Sequence, residues 1–424
     1  MVQLIRKGKI MQKLLTLTAL GLILSTLEAS AAGFHLREQS AAAQGNAFAG
    51  ATAGADNISY AYFNAAGLTR HKGTNINFGG TYIAPKAKAQ NVHDAAWNRD
   101  ADVENIVHAA VAPNAAISHQ LNDKTFIGLG LNVPYGMITK YDEDWAGREH
   151  GVTSKIISAT FTPMVAYKAT DKLSLGAGLQ IQYLKARLTT GVTHPLAGKL
   201  NSSVEGDALD LGWQLSSMYE FNDKTRVGLS YRSKVMHKLK GTNKTYRAGT
   251  GTPLTGSKSI SAHLNTPAML SMGVSHQLNE KWTLMAEYQR VFWSSFRDLY
   301  IRYQSNDAML SAVREKWRDT NFWAIGASYQ IDNQWKWRLG LAYDQSAVRL
   351  QHRTPRIPDS DRLWYSTGLN YEYNEHLTFD VAYTYIYAHK AHLDTALTGN
   401  KGANVTADFT NSVQLFGVSL NYKF

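Results

Sequence analysis

The chain has 424 residues, with 44 Lys and Arg against 33 Asp and Glu, and no cysteine. That length is too great for one small β-sandwich and ample for a large closed sheet, and no disulfide can hold the fold. The net charge of +11 is spread along the chain without a basic run or a nucleic-acid motif, so nucleic acid is excluded as a partner.

In chain order, residues 1–31 read as a secretory signal. Arg6, Lys7, Lys9 and Lys13 supply a basic start, Leu14 to Leu27 an apolar stretch too short for a spanning helix, and Ala29-Ser30-Ala31 a small-x-small cleavage site. Met11 is an alternative start that leaves this reading intact. Removing those four basic residues and Glu28 lowers the net charge from +11 to +8. Residues 32–72 do not alternate cleanly. They are rich in Ala and Gly yet carry Phe34, Leu36, Phe48, Ile58, Tyr60, Tyr62, Phe63 and Leu68, too many large apolar side chains for a disordered tail. They are predicted to form a plug, followed by a first strand at Asn75 to Pro85.

From there polar turns recur about every 50 residues: Asn122-Asp123-Lys124, Thr170-Asp171-Lys172, Asn222-Asp223-Lys224, Asn279-Glu280-Lys281, Asp332-Asn333-Gln334 and Asn374-Glu375-His376. Each is flanked by alternating apolar residues and marks a hairpin. Six hairpins, one strand before them and one after predict fourteen antiparallel strands over residues 73–424, with short turns at one end and long loops at the other. In the strand from Leu173, Leu173, Leu175, Leu179 and Tyr183 share one face, while Ser174, Gln180 and Gln182 share the other. The last strand sets Phe416, Val418, Leu420, Tyr422 and Phe424 against Gly417, Ser419, Asn421 and Lys423. A soluble sandwich would bury the apolar faces. Apolar faces ending in Trp or Tyr, opposite faces with Arg, Asp and Gln, instead suit lipid outside and a polar lumen. The fold class is thus all-β: a 14-stranded antiparallel transmembrane β-barrel with an N-terminal hatch in its lumen, exported to the cell outer membrane.

Several runs resemble the FadL family of long-chain fatty acid and hydrocarbon transporters. They are Gly33-Phe34, Asn64-Ala65-Ala66-Gly67-Leu68, Val133-Pro134-Tyr135-Gly136, Trp145-Ala146-Gly147-Arg148, Val227 to Lys234, Trp293-Ser294-Ser295-Phe296 and Arg353 to Arg362. The resemblance covers Gly33 to Phe424. It implies a monomer that captures a long-chain fatty acid or another hydrophobic small molecule at outer loops, binds it inside the barrel and releases it sideways to outer-membrane lipid. Release runs through a wall gap at a kinked third strand, here Thr125 to Val133 followed by Pro134, Tyr135 and Gly136. Pro removes a ladder donor and Gly loosens a strand, so these residues mark a break or an ordinary strand end. The hatch motif Asn64, Ala65, Ala66 departs from the family's Asn-Pro-Ala and is expected to touch the kink. Phe34 is expected to fill or gate the pocket.

By alternation Arg226, Arg232, Lys234 and Arg338 face inward and are the candidate cations for a carboxylate ligand, unless they pair with Asp210, Glu220, Asp344, Asp380 or the hatch. Lys185 and Arg187 fall on the outward phase. Residues 307–318, with Met309, Leu310, Val313 and Trp317 at helical spacing, predict a short helix or an apolar lid. The loop 352–362, mixing Arg353, Arg356 and Arg362 with Asp359 and Asp361, is expected to pair with itself. No G-x-S-x-G, H-E-x-x-H or P-loop is present, so no catalytic or metal-binding residue is assigned and no cofactor is expected. A hydrocarbon channel, a general porin and an adhesin barrel are the alternatives to a fatty-acid transporter.

Overall fold

The computed structural model describes residues 33–94, 99–100, 102–254, 256–398 and 404–424, and the expected signal segment lies outside them. Among the described residues fourteen strands span the wall. They are β1 Thr74–Asp94, β2 Ala110–Gln120, β3 Thr125–Asn132 with Gly136–Lys140, β4 Thr153–Lys168, β5 Leu173–His194, β6 Gly198–Asn222 and β7 Thr225–Arg232 with Val235–Arg247. They continue with β8 Lys258–Thr266 with Met269–Gln277, β9 Trp282–Val291 with Asp298–Tyr303, β10 Met309–Arg314 with Thr320–Gln330, β11 Trp335–Asp344, β12 Arg362–Glu372, β13 Leu377–Ala388 and β14 Val405–Lys423. Every neighbour pair is antiparallel, and β1 pairs with β14 from Asn75↔Lys423 upward, so the sheet closes.

The six turns form by one local device. The side chains of Asn122, Thr170, Asn222, Asn279, Asp332 and Asn374 each accept from backbone N–H groups two and three residues on. This side-chain mimic of a backbone turn lets a tight hairpin form without glycine. Outward side chains such as Leu209, Leu211, Leu215, Ile325, Leu341 and Val418 are exposed, and rings such as Trp282–Tyr329 and Trp335–Tyr371 pair on the same surface. Their exposure is the inside-out pattern of a wall that meets hydrocarbon.

Residues 33–72 lie inside the ring of strands and are almost wholly buried. The helix α1, Ala41–Gly45, is capped by the Ser40 hydroxyl, and the 3-10 turns Ile58–Tyr62 and Ala65–Arg70 are capped by Asn57 and Asn64. The segment touches the wall all round because glycines face it: a Cβ on Gly176, Gly228 or Gly340 would strike the backbone of Ala66, Thr52 or Asn46.

Two expectations fail. Residues 309–314 are strand, not helix, because Met309–Arg314 pairs with Asp298–Tyr303 and the tertiary ladder overrides a helical spacing only a few residues long. Lys234 faces outward. Ser233 and Lys234 interrupt β7 opposite Pro267, which has no N–H to donate, and Arg232 and Ser233 are both buried, so the alternation flips there.

Candidate functional site

The wall is broken at β3. Pairing of β3 with β2 ends at Leu131↔Ala115, and the upper part, Gly136–Lys140, pairs with β4 alone. The break falls at Val133-Pro134-Tyr135, as Pro demands. The missing neighbour is supplied from within. Leu36 N–H donates to Pro134 O at 2.8 Å, Gly136 N–H donates to Phe34 O at 3.0 Å, and His35 forms a bridge with Tyr135. Gln39 brackets the same spot, donating to Val133 O at 2.7 Å and accepting from Val133 N–H at 3.0 Å. The start of the inner segment, Phe34–Leu36, is therefore bridged across the gap by backbone hydrogen bonds.

The Phe34 ring is fully buried among Tyr135, Trp293, Phe296 and Trp317, with centroids 4.8–5.8 Å away. Gly33 N–H donates to Asp359 at 3.0 Å, and Asp359 also holds Arg362 and the Ser346 hydroxyl. Beside this cluster lies a narrow, partly open cavity. Its wall is apolar, with Met137, Ile156, Leu239, Leu264, Phe296 and Ile357 among the lining, and Glu315 and Arg356 are its buried charged groups. Phe34 meets the lining of the cavity at Phe296.

Arg356 belongs to the outer connection between β11 and β12. It donates to Thr153 O, Ser154 Oγ and Thr190 Oγ1 at 3.2, 2.9 and 2.6 Å, all neutral acceptors. The expected self-pairing of the loop thus holds for Arg362 with Asp359 but not for Arg356. Glu315 lies between the outer and the spanning parts of β10 and accepts from Trp317 Nε1 at 3.0 Å. Burial raises its carboxyl to about 7, and burial likewise lowers Arg356 to about 10. The loop carrying Arg356 is pinned by Thr139 and Tyr141, which donate to Arg356 O and Pro355 O at 2.7 Å each. Tyr141 stacks on Trp145, and the buried Arg148 donates to Leu200 O at 2.8 Å, so the Trp145 to Arg148 run roofs the same end of the barrel.

The structure does not bring the candidate cations to this cavity. Arg226 donates to Ala53 O at 2.6 Å; Arg232 donates to Tyr62 O at 2.6 Å and covers the Tyr62 ring at 4.0 Å. Arg338 is buried between Asp56 of the inner segment, at 2.9 Å, and Asp380 of β13, at 2.8 Å. All three hold the inner segment. Asn64 and Ala66 do not meet the kink either. Asn64 donates to Thr52 O and Ser217 O, and Ala66 N–H points to Ser216. The cap that Asn64 makes turns its own side chain toward β6. Sequence reasoning missed Glu315 and passed over Arg356, because nothing in a loop's spacing tells which of three arginines points into a cavity.

A closed barrel with an outward apolar belt, a filled lumen and an apolar cavity near its outer end defines an outer-membrane transport protein. Residues 22–424 match the family described as outer membrane protein transport protein (OMPP1/FadL/TodX), and the chain belongs to that family. The 47 kDa outer membrane protein of Pasteurella multocida is 30% identical over 96% of this chain and 98% of its own length. A long-chain fatty acid transport protein of Escherichia coli O6:H1 is 27% identical over 96% and 97%. The crystal structure of a Pseudomonas aeruginosa FadL homologue superposes with a TM-score of 0.84 at 26% identity, covering 93% of this chain and all of the other. The protein is a transporter of the outer membrane and not an enzyme.

Proposed function

We propose that the protein takes up long-chain fatty acids as a monomer, with residues 33–72 acting as its hatch. The observation that carries this reading is the pairing of an apolar cavity with a buried arginine whose hydrogen-bond acceptors among the described residues are all neutral. A relative in Escherichia coli is named a long-chain fatty acid transport protein, which supports the same substrate class. Capture is driven by burying the chain, at about 0.8 kcal/mol per CH₂. The carboxylate lies at Arg356, where a charge-assisted hydrogen bond forms in a dry setting. Release is lateral: the segment Phe34–Leu36 withdraws from Pro134–Gly136 and uncovers the gap at β3. Withdrawal breaks two backbone hydrogen bonds and moves Phe34, so binding and opening are linked through the Phe34–Phe296 contact.

The test is calorimetric binding of oleate and of a matched neutral alkane to the detergent-purified protein, each repeated with Arg356→Leu. Loss of a charge-assisted bond worth ~1.5–3 kcal/mol weakens oleate by about 10- to 100-fold and leaves the alkane unchanged. Equal binding of both ligands to the wild type would move the reading to hydrocarbon uptake, and binding of neither would favour a porin or an adhesin.

A further inference from the structure

The wall parts at a second place, between β6 and β7. The two strands pair up to Gln214↔Arg232 and again from Asp207↔Lys240, but residues 208–213 and 233–239 share no ladder. Each is ordered on its other side: β6 pairs with β5 throughout this stretch, and Val235 to Leu239 pair with β8. The separation begins where Ser233 and Lys234 interrupt β7 opposite Pro267. One backbone bond and a few side chains span the stretch. Ser233 exchanges bonds with Trp213 at 2.8 and 2.9 Å, and Asp210 accepts from Lys238 N–H at 3.2 Å while lying 3.3 Å from the buried His237.

Two further observations give this seam a direction. Its outer lips are apolar and exposed, with Leu209 at 66%, Leu211 at 62% and Met236 at 54%. Counted from Phe221 at the inner end of β6, the ~9–11 residues that a tilted strand needs to cross hydrocarbon end near Leu211, which places the seam in the outer leaflet. Its upper end opens on the cavity, whose lining includes Leu239, from the unpaired stretch, and Gly206, Lys240 and Gly241 just above it. Lys234 and Lys238 stand exposed at the same level, where an anionic headgroup of a lipid-dissolved acid sits.

We propose that the β6–β7 seam is a lateral portal through which hydrophobic acids dissolved in the outer leaflet pass directly into the cavity, with Asp210 as its closure. This rests on the cavity holding such molecules. The break at β3 lies elsewhere in the wall and is covered by the inner segment, so the two openings serve different steps, admission and release.

The absence of cysteine gives a clean test. Extending the register of Asp207↔Lys240 sets Leu211 opposite Met236. Leu211→Cys with Met236→Cys, bridged by a reducible bis-thiol linker, closes the seam. Leu175→Cys with Ser217→Cys, on the intact ladder of β5 and β6, is the control. Protein in phospholipid vesicles is mixed with cis-parinaric acid supplied in the bilayer, and energy transfer from tryptophan in excess of that shown by the Arg356→Leu protein reports occupancy. The seam bridge is expected to slow occupancy by about tenfold or more, reversibly on reduction, with equilibrium occupancy unchanged and the control unaffected. Asp210→Ala, which needs no linker, is expected to speed it. An unchanged rate in both the bridged and the Asp210→Ala proteins overturns the portal. Equal energy transfer in the wild type and the Arg356→Leu protein overturns the binding reading itself.

Discussion

At the scale of single residues, the proposed chemistry rests on Phe34, Glu315 and Arg356. The Phe34 ring is packed on four aromatic neighbours. Phe34→Ala is expected to lower stability by ~3–5 kcal/mol, read by scanning calorimetry in detergent. Glu315 gives a pH dependence. Its carboxyl is raised from 4.5 to about 7 by burial, so the folded protein holds its proton more tightly and stability from this group falls as pH rises between those values. Below about 7 Glu315 is neutral and Arg356 is free for a ligand carboxylate. Above it, two anions compete for one guanidinium. Oleate affinity is expected to fall as pH rises through about 7, and Glu315→Gln should flatten that profile in the same calorimetric titration. Ala65, in place of the family's proline, is explained at this scale too. It is the first residue of the turn capped by Asn64, where a backbone N–H has no partner within the turn, so proline and alanine build the same geometry.

At the scale of elements, the inner segment is fastened by ion pairs rather than by apolar area alone. Arg338 links Asp56 to Asp380, and Asp380 also accepts from Asn57, Ser419 and Asn421. Asp56→Asn removes one charge-assisted bond, costs about 1–2 kcal/mol, and is expected to give transient ion-conducting openings in planar bilayers where the wild type is silent. The strands were legible in the sequence because their period of two is strict and each turn has its own side-chain cap. The interruptions of β7 and β8 were not, since Pro267 acts on its neighbour across the sheet and only pairing reveals which residue faces it. That is why Lys234 was assigned the wrong face while Arg232, two residues earlier, was not. The cavity was equally hidden: its two buried charged groups come from segments about 40 residues apart.

At the scale of the whole molecule, the lumen is filled by one continuous segment that meets strands on every side. A barrel lacking residues 33–72 should keep its wall, because every strand pair is independent of the segment save at the β3 gap. It is expected to conduct ions steadily in planar bilayers, whereas the loss of Asp56 alone gives only brief events. Conductance by the intact protein equal to that of the truncated one would count against a hatch.

The pairing of β1 with β14 sets an order of events in time. Asn75 meets Lys423 across the full run of barrel strands, and contacts so distant in sequence form last and slowly. Until they form, β1 and β14 are both open edges, ready to join any strand that passes. Hairpins can accumulate as the chain emerges, but the cylinder exists only once β14, Val405–Lys423, is in hand. Loss of that last stretch would leave no smaller barrel, only an unclosed ribbon exposed to aggregation and proteolysis before it reaches the membrane.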